Sequence, residues 1–115
     1  MRNFNFLPEF SRELRRLSRK YGTLNDDLKL FRKVLSSSPT GFGKNFTVIR
    51  STEVVKIIKA CMACRSLRGR SIRVIYAYFE QEEEVEFVEI YYEGNKTNED
   101  YNRIKECLKL VAGSD

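Results

Sequence analysis

Apolar positions follow two rhythms along this chain, a helical one in the first third and a strand-like one in the middle. Phe10, Leu14, Leu17 and Tyr21 recur at i, i+4, i+7 and i+11, one stripe of a helix whose other side carries Arg12, Arg15, Arg16 and Arg19. Gly22 is suited to end that helix in a left-handed turn. Thr23 then reads as an N-cap with Asp26 three residues on, and Leu24, Leu28, Phe31 and Leu35 repeat the spacing until "SSSPTG" stops a second helix. Two antiparallel amphipathic helices in a hairpin are expected, with their arginines read as a solvated face rather than a binding site.

The second rhythm is that of a sheet. "EVVKIIKACMAC", "SIRVIYAYF" and "VEFVEIYY" are rich in β-branched and aromatic residues, and the polar connections "RSLRGR" and "EQEEE" suit hairpins of an antiparallel meander. "FNFL" near the start is short but can add a strand. The chain ends in "TNEDYNRIKECLKLV", which opens on acidic residues and sets Tyr101, Ile104, Leu108 and Val111 on one side of a helix. The predicted order is β-α-α-β-β-β-α. This is an α+β fold in which a small antiparallel sheet carries the N-terminal helical hairpin on one face and is followed by a short C-terminal helix.

Period-two parity within "SIRVIYAYF" separates Arg73, Ile75, Ala77 and Phe79 from Ile72, Val74, Tyr76 and Tyr78. With one face under the helical hairpin, the other is expected to be open and concave. Tyr76 then belongs to the core, and Arg73 to the open face, since a guanidinium is costly to bury without an anion.

Length and charge narrow the function classes. A chain of 115 residues fits one domain, 1–115, with a genuine core, and no apolar run approaches the roughly 20 residues that span a bilayer. "MRNFNFLPEF" lacks the apolar centre of a secretory signal, so a cytoplasmic location with no membrane partner is expected. The net charge of +5 hides a segregation: residues 1–70 hold 16 basic and 5 acidic groups, residues 71–115 hold 5 and 11. Such a separation favours an anionic partner, nucleic acid or an acidic protein.

Cys61 and Cys64 in "CMAC" have the spacing of zinc and redox sites, but residues three apart on a strand point to opposite faces. With no histidine and only Cys107 besides, neither a metal nor any cofactor is expected, and the thiols read as buried and reduced.

The order of elements together with "SLRGRSIRVIYAYFEQEEEVEFVEIYYEGNK" resembles the RelE/ParE superfamily of toxin-antitoxin toxins. The carrying features are a Gly- and Arg-rich turn entering R-V-I-Y, an acidic hairpin, and an apolar strand ending in Tyr with a Lys nearby. The resemblance implies a toxin with a cognate antitoxin. In the RelE and HigB branches it implies a ribosome-dependent endoribonuclease that cleaves mRNA and inhibits translation. In the ParE branch it implies a non-nuclease toxin acting on DNA gyrase; a degenerate toxin that only binds its antitoxin is a third reading.

Cleavage of RNA by its own 2′-hydroxyl requires cations at the phosphate oxygens, a base for the hydroxyl and an acid for the leaving oxygen. By the resemblance, Arg73 contacts the scissile phosphate, and Tyr92, Glu93 and Lys96 at the strand end are the remaining catalytic candidates. Glu93 departs from the pattern, where relatives often carry lysine or arginine. Arg65, Arg68 and Arg70 are expected to bind RNA in the turn. Lys59 joins them from the preceding strand, where Lys56 has the opposite parity and only one of the two can face the groove.

Overall fold

The computed structural model describes residues 3–68, 71–96 and 98–113, the last four by their backbone alone. The elements are β1 (Asn3–Phe6), α1 (Pro8–Lys20), α2 (Leu24–Ser37), β2 (Phe46–Ser51), β3 (Lys56–Ala63), a single 3-10 turn (Arg65–Leu67), β4 (Ser71–Phe79), β5 (Glu84–Tyr92) and α3 (Tyr101–Gly113). The five strands form one sheet in the order β1-β5-β4-β3-β2. The α+β architecture and its helical hairpin are as the sequence predicts.

Two features of the sheet differ from that expectation. It is mixed rather than wholly antiparallel, because β1 pairs with β5 in parallel, Asn3 beside Glu84 and Phe6 beside Phe87. A helical hairpin, and not a tight turn, follows β1, so nothing local forces it to run antiparallel. The sheet also has an extra edge strand, β2, whose pairing with β3 slips between Val48 and Arg50. It is mostly exposed, and its lack of clean alternation is why the pattern did not reveal it.

The hairpin corner also departs from its predicted chemistry. Helix α1 ends at Tyr21, whose N–H donates to the Leu17 carbonyl at 2.8 Å, and Gly22 takes no left-handed conformation. Thr23 is the N-cap of α2 but makes no capping bond to the helix backbone. Its hydroxyl is engaged elsewhere. Gly41, after α2, does need glycine: its φ is +74° and a Cβ there would run into the Phe46 ring.

Parity on β4 holds. Ile72, Val74, Tyr76 and Tyr78 join Phe10, Leu17, Leu24, Phe31 and Leu35 in the core beneath the helical hairpin. Ile75 and Ala77 face the other way and build a second cluster with Val55, Ile57, Val88 and α3 residues Ile104 and Cys107. The second face is therefore not wholly open, because α3 covers one half of it. A bulge on β5 opposite Ile75 and Tyr76 lets consecutive Val88 and Glu89 escape strict alternation.

Tyr76 is fully buried, and its hydroxyl donates to the Pro39 carbonyl at 2.8 Å; burial raises its pKa far above the ordinary value. Tyr76→Phe keeps the ring but leaves that carbonyl unpaired. A loss of about 1 kcal/mol in unfolding free energy is expected by denaturant titration. An unchanged midpoint would mean that water replaces the hydroxyl.

Candidate functional site

The half of the second face that α3 leaves uncovered is the far end of β3 and β4. Cys61 lies across from Arg73, and Ala63 across from Ser71, all on that side. With Asn45, Cys64 and Arg65 they line a cavity of about 550 Å³. Asn45 closes the rim by accepting the Cys61 N–H on its carbonyl at 2.8 Å.

Arg73 is largely buried, with 16% of its side chain exposed. Its guanidinium donates to the Ser71 hydroxyl and to the Glu93 carboxylate. An arginine anchored in a strand interior has few rotamers that reach solvent, so its planar fork is presented in a nearly fixed direction. Glu93 stands on the exposed turn after β5, and it is the anion that makes this burial tolerable.

Arg65 is placed by a network that ties the 3-10 turn to the helical corner. The Asp27 carboxylate, 5% exposed, accepts from the Arg65 Nε at 2.9 Å and from its backbone N–H at 3.2 Å. The Thr23 hydroxyl donates to Asp27 at 2.8 Å and accepts the Ser66 N–H at 3.0 Å, while the Thr23 N–H donates to the Ser66 hydroxyl at 3.0 Å. Burial works to raise the Asp27 pKa, but the bonds from Arg65, Thr23 and Cys64 outweigh it and pull the carboxyl below its ordinary 3.8.

A depressed carboxyl stabilises the fold above its unfolded pKa, and this contribution is lost as pH falls through the lowered folded value. Amide exchange of residues 64–67 is therefore expected to accelerate as pH drops below 3.8, beyond the intrinsic rate. Asp27→Asn should show that fast exchange already at neutral pH. Identical profiles for the two proteins would remove Asp27 from the network.

The other predicted residues are dispersed. Arg68 leaves the 3-10 turn exposed and in the left-handed region, φ 49° and ψ 60°. Arg70 lies outside the described residues. Lys59 shares the face of Arg73 but is engaged by Glu99 at 3.1 Å. Burial works to lower its pKa, and Glu99 and Tyr91 more than offset it. Lys56 takes the opposite face, beside Tyr78. Lys96 pairs with the fully buried Glu89, which also accepts the Asp100 N–H at 2.7 Å, and its ammonium lies 5.4 Å from the Tyr91 ring centre.

Tyr92 belongs to the helical-hairpin side of the sheet, with its ring 5.9 Å from that of Tyr21 and folded against Gly94. Tyr91, not Tyr92, stands across from Arg73; it is buried, and its hydroxyl makes no hydrogen bond of ordinary geometry with a described residue. Asp27, Glu89, Ser71 and Asn45 are participants that the sequence reading did not single out. Only Ser71, two residues before Arg73 with the same parity, carried a signal that could have found it.

The thiols divide. Cys64 is buried beneath the hairpin, where burial raises its pKa, whereas Cys61 is half-exposed in the cavity. Burial, with Glu86 beside it, pushes Cys107 up to about 11. No helix among the described residues is long and apolar enough to cross a membrane.

A five-stranded mixed sheet with a helical hairpin on one face, a third helix on half of the other and an arginine cavity in the remaining half defines an α+β fold of the RelE class. No family model matches the sequence, and no curated protein matches it. In three dimensions the chain is similar to one from the crystal structure of the archaeal RelE-RelB complex of Pyrococcus horikoshii OT3. The TM-score is 0.62 at 16% identity, over 81% of this chain and 96% of that one.

Proposed function

We propose that the protein is the toxin of a toxin-antitoxin pair, and that the Arg73 cavity seats the scissile phosphate of mRNA for cleavage on the ribosome. The likeness to a chain of a RelE-RelB complex supports the first part. The second part is carried by one observation: a strand-anchored guanidinium opens into a cavity rimmed by a second arginine, in the part of the sheet that α3 does not cover.

In this reading Arg73 exchanges its carboxylate partner for two phosphate oxygens, a bidentate match for its fork. Glu93, released at the same moment beside the phosphate, takes the proton of the attacking 2′-hydroxyl as the 2′ oxygen bonds to phosphorus; the bond from phosphorus to the 5′ oxygen breaks, and that oxygen takes a proton from water. Arg65 and Arg68 hold flanking phosphates. Lys96 neutralises Glu89 and ties down the turn after β5 that carries Glu93, a positioning role. Tyr92, turned to the helical-hairpin face and packed against Tyr21, supports the strand end rather than the reacting phosphate.

Purified protein added to translating ribosomes is expected to cut mRNA, detected by primer extension, with Glu93→Gln slower by about 10²-fold and Tyr92→Phe by less. Co-expression with the product of a neighbouring small gene should yield a complex stable at low salt. Growth arrest without mRNA cleavage, retained by Arg73→Ala, would overturn the nuclease reading in favour of a gyrase-directed toxin.

A further inference from the structure

Five cations on the sheet and its flanks are each engaged by an acid: Arg65 with Asp27, Arg73 with Glu93, Lys59 with Glu99, Lys96 with Glu89 and Arg103 with Glu13. The long-range field of each is largely cancelled by its partner. Helix α1 is the opposite case. Arg12, Arg15, Arg16 and Arg19 are all exposed, and none makes an ion pair with any described residue. Glu13, the acid within their run, is drawn away by Arg103, which holds it through two bonds of 2.8 and 3.0 Å.

The four guanidiniums also form a single stripe. At roughly 100° per residue they fall within an arc of about 100°, directly opposite the buried Phe10 and Leu17. From Arg12 to Arg19 the helix rises roughly 10 Å, a length over which a duplex nucleic acid, with about one charge per 1.7 Å of axis, presents roughly six phosphates.

We infer that this stripe is a docking surface for the phosphate backbone of duplex RNA, separate from the Arg73 cavity. Two features favour that occupant. A protein interface of ordinary affinity needs an apolar centre, yet the exposed large hydrophobics among the described residues are Leu30, Val34, Phe42, Val48, Val54 and Tyr101, none of them on α1. A membrane surface would require the apolar side of the helix, which is committed to the core beneath it. An array of exposed charges without apolar contacts suits a partner recognised by its charge alone.

The inference does not depend on the cleavage reading. A full-length variant with Arg12, Arg15, Arg16 and Arg19 all changed to Gln is compared with the wild type for binding a short duplex RNA of arbitrary sequence, by fluorescence anisotropy across a salt series. The log-log salt slope is expected to fall by roughly 3 to 4, near 0.9 per lost contact, whereas Arg73→Gln leaves it within about one contact. Since all four positions are exposed and glutamine is a good helix former, the unfolding midpoint should be unchanged. Two half-variants, Arg12 with Arg16 and Arg15 with Arg19, should each lose about half of the slope. A quadruple variant with the wild-type slope would overturn the inference. So would displacement of the RNA by polyglutamate at equal charge, which would give the stripe to an acidic protein instead. Loss of cleavage in Arg73→Lys with this slope intact separates failure of one site from failure of the other.

Discussion

Arg73→Lys is expected to leave RNA binding within a few-fold of wild type while slowing cleavage on ribosomes by about 10²-fold, the order lost with one preorganised transition-state donor. Both side chains carry a full positive charge, so a site that needed only charge would tolerate the exchange. The guanidinium differs in holding two parallel donors in a plane, and in this structure the plane is set by a strand position, by Ser71 and by Glu93. Lysine brings a single pivoting ammonium that can satisfy Glu93 and keep the resting structure. It cannot grip two phosphate oxygens at once. Single-turnover cleavage with saturating protein reads the chemical step directly. Equal rates for Lys and Arg would reduce Arg73 to a counter-ion for Glu93.

Phe87→Ala should give the largest loss of stability of any single truncation in the sheet, about 3 to 5 kcal/mol by denaturant unfolding. The ring is fully buried where three parts of the fold meet. It stacks on Phe4 of β1 at 6.0 Å and meets Phe6 edge-on at 5.1 Å, Phe10 of α1 at 5.2 Å and Tyr76 of β4 at 6.2 Å. Truncation opens a cavity among four aromatic rings, and it removes the packing on which the short parallel β1 relies. Phe4→Ala, at the rim of the same cluster, should cost clearly less. Equal losses would show that β1, and not the central ring, carries the stability.

The parts of this fold that are legible in the sequence are those with a rigid period and a buried side. Nine residues of "SIRVIYAYF" assign Tyr76 to the core and Arg73 to the other face because a strand has no freedom to do otherwise. The α1 stripe is legible for the same reason. Strand β2 is not, because an edge strand half in solvent has no need to alternate. The bulge at Val88 and Glu89 is invisible for a related reason: one inserted residue shifts parity without any local signature.

The site is less legible than the scaffold. Which acid meets which base is decided by packing between distant segments, as with Arg65 and Asp27, 38 residues apart, or Lys59 and Glu99, 40 apart. The turn arginines look equivalent as letters, yet Arg65 is braced by a buried carboxylate while Arg68 extends from a left-handed turn. Tyr91 and Tyr92 are neighbours in sequence that end on opposite faces, and only the strand register tells which one faces Arg73.

The parallel pairing of β1 with β5 has a consequence for the order of events during synthesis. Asn3 leaves the ribosome well before its partner Glu84, which emerges only after both helices and three further strands. Until then the phenylalanines of β1 have no strand to lie against, and β4 lacks the neighbour that brings Glu93 to Arg73. Closing so long a loop is slow relative to forming local hairpins. A nascent chain can thus build its helical corner and its β3-β4 hairpin while the cavity is still incomplete, so that the finished site forms only once β5 has been made.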